Sequence, residues 1–110
     1  MKISYKSNKL EKSLTVPKEI SKSYGIMAKK VNQRMKELSA ASSLAVMKTI
    51  PAANCHELHA DREGSLAVDI SGNWRIIFEP DQNPVLAKED GGLDWNLVTQ
   101  IKIIEVTDYH

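Results

Sequence analysis

Cysteine is nearly missing from this sequence: Cys55 is the one thiol in 110 residues. That excludes an internal disulfide framework and suits a reducing compartment. Long hydrophobic runs are missing too, and no stretch approaches the ~20 apolar residues of a membrane-spanning helix. The opening, Met1 to Ser13, has none of the apolar core of a secretory signal. The cytoplasm is the expected location, with no membrane partner. Proline and glycine are sparse, and no repeat, low-complexity tract or linker divides the chain. Length and composition predict one domain over residues 1–110, able to remove roughly 65% of its unfolded surface from water.

What is present is unevenly spread. The net charge is only +1, yet residues 1–50 carry eleven Lys and Arg against three acids, a local +8. Residues 51–110 carry four basic residues against eleven acids, a local −7. A basic half invites a polyanion, because each phosphate met by Lys or Arg releases a counterion. The same pattern arises when amphipathic helices solvate their outer faces with lysine, and composition alone favours that reading.

Hydrophobic spacing changes once, at Pro51. "ISYKS" reads as a short first strand. "SNKLEKSL" is weakly helical, and "VPKEISKSYG" adds a second helix with Pro17 in its first turn and Gly25 at its end. In "IMAKKVNQRMKELSAA", Ala28, Val31, Met35 and Leu38 recur at helical spacing, with Lys29, Lys30 and Lys36 largely on the other faces. "SSLAVMKTIP" predicts a further short helix capped by Ser42 or Ser43. Beyond Pro51, "SLAVDI" and "WRIIFE" alternate around the turn signal "SGN", and "LVTQIKIIEV" is a last β-branched strand. A long acidic connection runs from Asp81 to Asp94. Helices followed by strands predict an α+β fold, with N-terminal helices on one face of a small, mainly antiparallel sheet. Period two turns Arg75 away from Trp74, Ile76 and Phe78, towards the uncovered face.

Several polar groups stand out, each with a structural and a chemical reading. His56 and His59 lack a third ligand at metal-binding spacing, and "HELH" is one residue short of the helical zinc motif, so no metal site and no cofactor are expected. Cys55 and His56 are neighbours on an extended stretch and point to opposite faces, which argues against a thiol nucleophile. Asp61-Arg62-Glu63-Gly64 reads as a charged turn with a local ion pair. Arg75 within an apolar strand must either pair with an acid such as Asp69 or Glu105, or face a phosphate. The terminal Asp108-Tyr109-His110 is either a loose polar tail or a set of functional groups delivered by the last strand. His56, Arg75, Tyr109 and His110 together would suffice for a metal-free ribonuclease, in which a ribose 2′-OH attacks its own 3′-phosphate and leaves a 2′,3′-cyclic phosphate.

Taken in order, "KLEKSL", "YGIMAKKVNQRMKELSAASSL", "CHELHADREGSLAVDISGNWRIIFEP", "KEDGGLDW" and "IIEVTDYH" resemble the RelE/ParE toxin superfamily. The branch they are most similar to is that of the HigB-like plasmid maintenance killer proteins. The resemblance spans about Lys9 to His110 and rests on a histidine before the "DREG" turn, Trp-Arg in the next strand and a terminal Asp-Tyr-His. It implies a compact α+β toxin of a type II toxin–antitoxin system, neutralised by a HigA-like helix-turn-helix antitoxin. Enzymatic members of the superfamily cut mRNA in the ribosomal decoding site. By motif, His56, Arg75, Asp108, Tyr109 and His110 take the catalytic positions. Arg62 is a candidate phosphate contact, and Lys29, Lys30 and Lys36 would meet ribosomal RNA. Two other functions share the fold: a gyrase-directed growth inhibitor without enzymatic activity, and an inactive antitoxin-binding module. Two features depart from the pattern. Relatives often carry Gly-Asp-Arg after a basic residue where this chain has His59-Ala60-Asp61-Arg62, and the acidic connection is long.

Overall fold

The first two helices begin and end where local devices permit. In the computed structural model, which describes residues 1–82 and 88–108, α1 spans Asn8–Thr15 and its N-cap Ser7 accepts the Leu10 N–H at 3.1 Å. That hydroxyl satisfies one of the donors orphaned at a helix start. Pro17 opens α2, Pro17–Tyr24, and Gly25 closes it at φ +53°, a backbone state that L side chains rarely adopt. A single 3₁₀ turn leads into α3, Ala28–Ala40. Val31, Met35 and Leu38 are buried on α3, as their spacing predicts, and Arg34 is buried with them. The further short helix is a 3₁₀ helix, Leu44–Thr49, and Ser43 before it makes no side-chain cap.

The strands are β1 (Lys2–Tyr5), β2 (His56–Glu57), β3 (Leu66–Ser71), β4 (Trp74–Pro80) and β5 (Gln100–Asp108). They form one sheet in the order β1-β5-β4-β3-β2. β1 runs parallel to β5, and the other neighbours are antiparallel. β3 and β4 make a hairpin through Gly72, held at φ +58°. Register shifts between Asp69 and Ser71 on β3, and beside Ile77 and Phe78 on the β4–β5 pair. Such bulges re-aim the side chains that follow them.

The α+β expectation holds, with helices on one face of a mixed sheet. Leu14, Val31, Leu38, Leu44 and Met47 pack against Val68, Ile76, Phe78, Ile101 and Ile103. Complete burial of each such side chain stabilises by roughly 1.5–3 kcal/mol. The second face is less bare than its sequence suggests. Leu58, Ala67 and Ile77 form a small buried cluster there, with Ile104 packed beside it. Of the acidic connection, residues 83–87 lie outside the described residues. Its second half is anchored by Trp95, buried in the main core, whose Nε1–H donates to Glu57 Oε2 at 3.2 Å while Lys48 Nζ lies 4.5 Å from the ring centre.

Candidate active site on the second sheet face

Strand register decides which polar groups meet. Arg75 on β4 stands opposite Asp69 on β3 and Thr107 on β5, and directly opposed residues share a face. His56 on β2 stands opposite Ala67, two residues before Asp69 on the same side. His56, Asp69, Arg75 and Thr107 therefore line one face, away from the helices.

Short contacts join this set. Arg75 Nε lies 2.9 Å from Asp69 Oδ1, both atoms screened from solvent and aligned as an ion pair rather than as a hydrogen bond. Arg75 Nη1 donates to the Gly72 carbonyl at 3.0 Å. Asp69 Oδ2 accepts from Asn54 Nδ2 at 3.1 Å, and His56 Nδ1 lies 2.7 Å from the Asn54 carbonyl. A carbonyl only accepts, so Nδ1 is the protonated nitrogen of the neutral tautomer, which would present its lone pair at Nε2. Behind the face, Arg34 Nε donates to the Asp69 carbonyl at 2.7 Å and Nη2 to the Ala52 carbonyl at 3.0 Å.

Of the two readings of Arg75, pairing with Asp69 is present, and the guanidinium still belongs to the second face. Arg62 pairs beyond its own turn. Its Nη2 donates to Glu105 Oε1 on β5 at 2.6 Å, pinning the Ala60–Arg62 turn over the same face. His59 is exposed beside it. Asp108 stands opposite Trp74 at the end of β5, one position beyond Thr107. Tyr109 and His110 lie outside the described residues. Lys29, Lys30 and Lys36 are exposed on α3, in the helix layer, so the sheet separates them from His56 and Arg75. Cys55 packs against the main core, and burial pushes its thiol up to about 12, outweighing the opposite pull of Lys48. A thiol so rarely ionised is no nucleophile.

Sequence reasoning missed Asn54 as a site residue and treated Asp69 only as a possible ion-pair partner. An asparagine before a two-residue strand carries no motif. The one available signal was the pairing of Asp69 with Arg75 across a predicted hairpin.

Helices on one side of a five-stranded mixed sheet are an arrangement this chain shares with solved toxin structures. The chain matches the YoeB/ParE toxin from Agrobacterium tumefaciens over 100% of both chains, with a TM-score of 0.55 and 12% identity. It matches the YoeB–YefM complex from Staphylococcus aureus with a TM-score of 0.53 and 16% identity, over 100% of this chain and 97% of the other. No family model matches the chain. No curated protein matches it either. At these identities the shared property is the fold, and function has to be argued from the site.

Proposed function

We propose that this protein is the toxin of a type II toxin–antitoxin pair, HigB-like in kind, and that it cleaves mRNA on the ribosome without a metal. One observation carries the reading. His56 and Arg75 are linked through Asn54 and Asp69 on a single sheet face, and β5 brings its carboxyl end alongside.

In the proposed reaction, His56 Nε2 takes the proton from a ribose 2′-OH. The freed oxygen attacks the adjacent phosphorus, the new P–O2′ bond forms, and the P–O5′ bond breaks. His110 gives a proton to the leaving 5′-oxygen, so the products are a 2′,3′-cyclic phosphate and a 5′-hydroxyl. Arg75 stabilises the charge that builds on the phosphate, in competition with Asp69, whose carboxylate lowers the local positive potential. Tyr109 orients the base or the 2′-OH, and Asp108 orients a neighbour. Arg62 and the α3 lysines Lys29, Lys30 and Lys36 contact RNA phosphates, the latter on ribosomal RNA. A HigA-like helix-turn-helix antitoxin neutralises the toxin in the cytoplasm.

Induction in cells with 5′-end mapping of transcripts tests this. New transcript ends are expected with wild type and none with a variant lacking His110; identical ends from both would sink the reading. One contact favours a second reading: Asp69 already offsets the charge of the Arg75 guanidinium, as a growth inhibitor without nuclease chemistry would tolerate. Loss of supercoiling by purified gyrase would select that gyrase-directed alternative. An inactive antitoxin-binding module would cause no growth arrest when expressed alone.

A further inference from the structure

Asp69 sits at a junction that the proposed chemistry leaves unused. Its Oδ1 faces Arg75 Nε, its Oδ2 accepts from Asn54 Nδ2, and its backbone carbonyl accepts from Arg34 Nε. Asn54 is held at φ +42°, in the left-handed region that asparagine adopts more readily than most residues. Its carbonyl receives His56 Nδ1–H. Arg34 also fixes the Ala52 carbonyl, two residues before Asn54.

We propose that Asp69 and Asn54 are positioning residues: one carboxylate fixes the Arg75 guanidinium on one oxygen and, through Asn54 on the other, the ring orientation and tautomer of His56. The consequence for catalysis rests on the nuclease reading above; the geometric claim does not. A half-exposed imidazole on a two-residue edge strand would otherwise turn about its ring torsion and sample both tautomers. Bound to a carbonyl, it keeps its proton on Nδ1 and its lone pair on Nε2. The place of that carbonyl follows from the Asn54 backbone, which the side-chain bond to Asp69 locks. Base and phosphate-binding group thereby share one anchor. Their separation is set before substrate arrives, and misplacement of about 1 Å in such a pair costs on the order of 10²-fold in rate.

Two variants divide the claim. Asp69→Asn keeps the shape but must turn an amide NH₂ towards one of two donors, so it breaks one link. Asn54→Gly keeps the positive φ and the Asp69–Arg75 pair while deleting the link between them and His56. The ¹⁵N imidazole signals of His56 are recorded for wild type and both variants, alongside mRNA cleavage on programmed ribosomes. Wild type is expected to hold its proton on Nδ1. Asn54→Gly is expected to give a mixed tautomer population, and Asp69→Asn to do so with disturbed Arg75 as well. Both are expected to lose about 10²-fold in kcat with KM unchanged. An unmoved tautomer population in folded Asn54→Gly would overturn the proposal, whatever the activity. If Asp69→Asn does not fold, Asn54→Gly alone decides it. If wild type does not cleave RNA, the nuclease reading falls and the spectra still decide the positioning claim.

Discussion

At the scale of single residues, Arg34 shows how a charge is kept inside this fold. It is 7% exposed, and its donors go to the carbonyls of Asp69 and Ala52 and to the carboxylate of Glu37 at 3.1 Å. Arg34→Met keeps the stem but strips those acceptors and leaves Glu37 uncompensated. A loss of about 3–5 kcal/mol is expected from urea unfolding, and Arg34→Lys should recover little of it, because an ammonium cannot span a fork of three partners. Unchanged midpoints in both variants would refute this account. Cys55 makes the opposite case, an ionisable group buried in its neutral form. With its thiol raised to about 12, alkylation of the native protein at pH 8 should be about 10²-fold slower or more than after denaturation. The sign for stability follows. The native state holds this proton more tightly than the unfolded chain, so stability falls as pH rises from the ordinary thiol value of 9.0 through about 12. Cys55→Ala should remove that part of the slope. His56 and Arg75 were candidates from the sequence alone, the histidine within the polar stretch before the turn and the arginine within an apolar strand. Arg34, Asn54 and Asp69 were not, since what they do depends on partners 15 to 35 positions away.

At the scale of elements, local signals worked where structure is local. Ser7, Pro17 and Gly25 bound the first two helices where their chemistry predicts, and Ser7→Ala should cost about 1 kcal/mol in thermal unfolding by leaving the Leu10 N–H without its acceptor. A loss under a few tenths would mean that water replaces the cap. Long-range pairing was the illegible part. The parallel match of Lys2 with Gln100 joins the two ends of the sequence, and four residues carry no trace of their partner strand. The turn at Asp61–Glu63 looked self-contained because opposite charges adjoin there. Its arginine reaches Glu105 on β5, a contact that charge order within the turn does not foretell. With side chains 32% and 40% exposed, that pair contributes little to stability beyond placing the turn. The stretch from Leu44 to Thr49 winds as a 3₁₀ helix, ahead of Pro51, and spacing alone does not separate that from an α-helix.

At the scale of the whole molecule, the charge division follows the two sides of the sheet only in part. Exposed lysines of α3 lie in the helix layer, whereas His56, Arg62 and Arg75 share the other face. One short RNA segment cannot touch both, so the proposed reading gives the lysines to binding and the second face to chemistry. Lys29, Lys30 and Lys36 changed together to Ala should weaken ribosome association and lower its salt dependence by a log–log slope of about 2, without changing the rate of cleavage once bound. A slope unaltered by the triple change would remove α3 from the RNA contact. The central claim is that the second sheet face performs a metal-free transesterification, and the chemistry of its product tests that most directly. Transcript ends are captured by ligation selective for 2′,3′-cyclic phosphate after induction of wild type, His56→Ala, Arg75→Ala and the exposed-turn control His59→Ala. Cyclic-phosphate ends from wild type and His59→Ala, reduced by about 10²-fold or more in the other two, are the predicted result; wild type yielding no such ends, or all four yielding them equally, would contradict it.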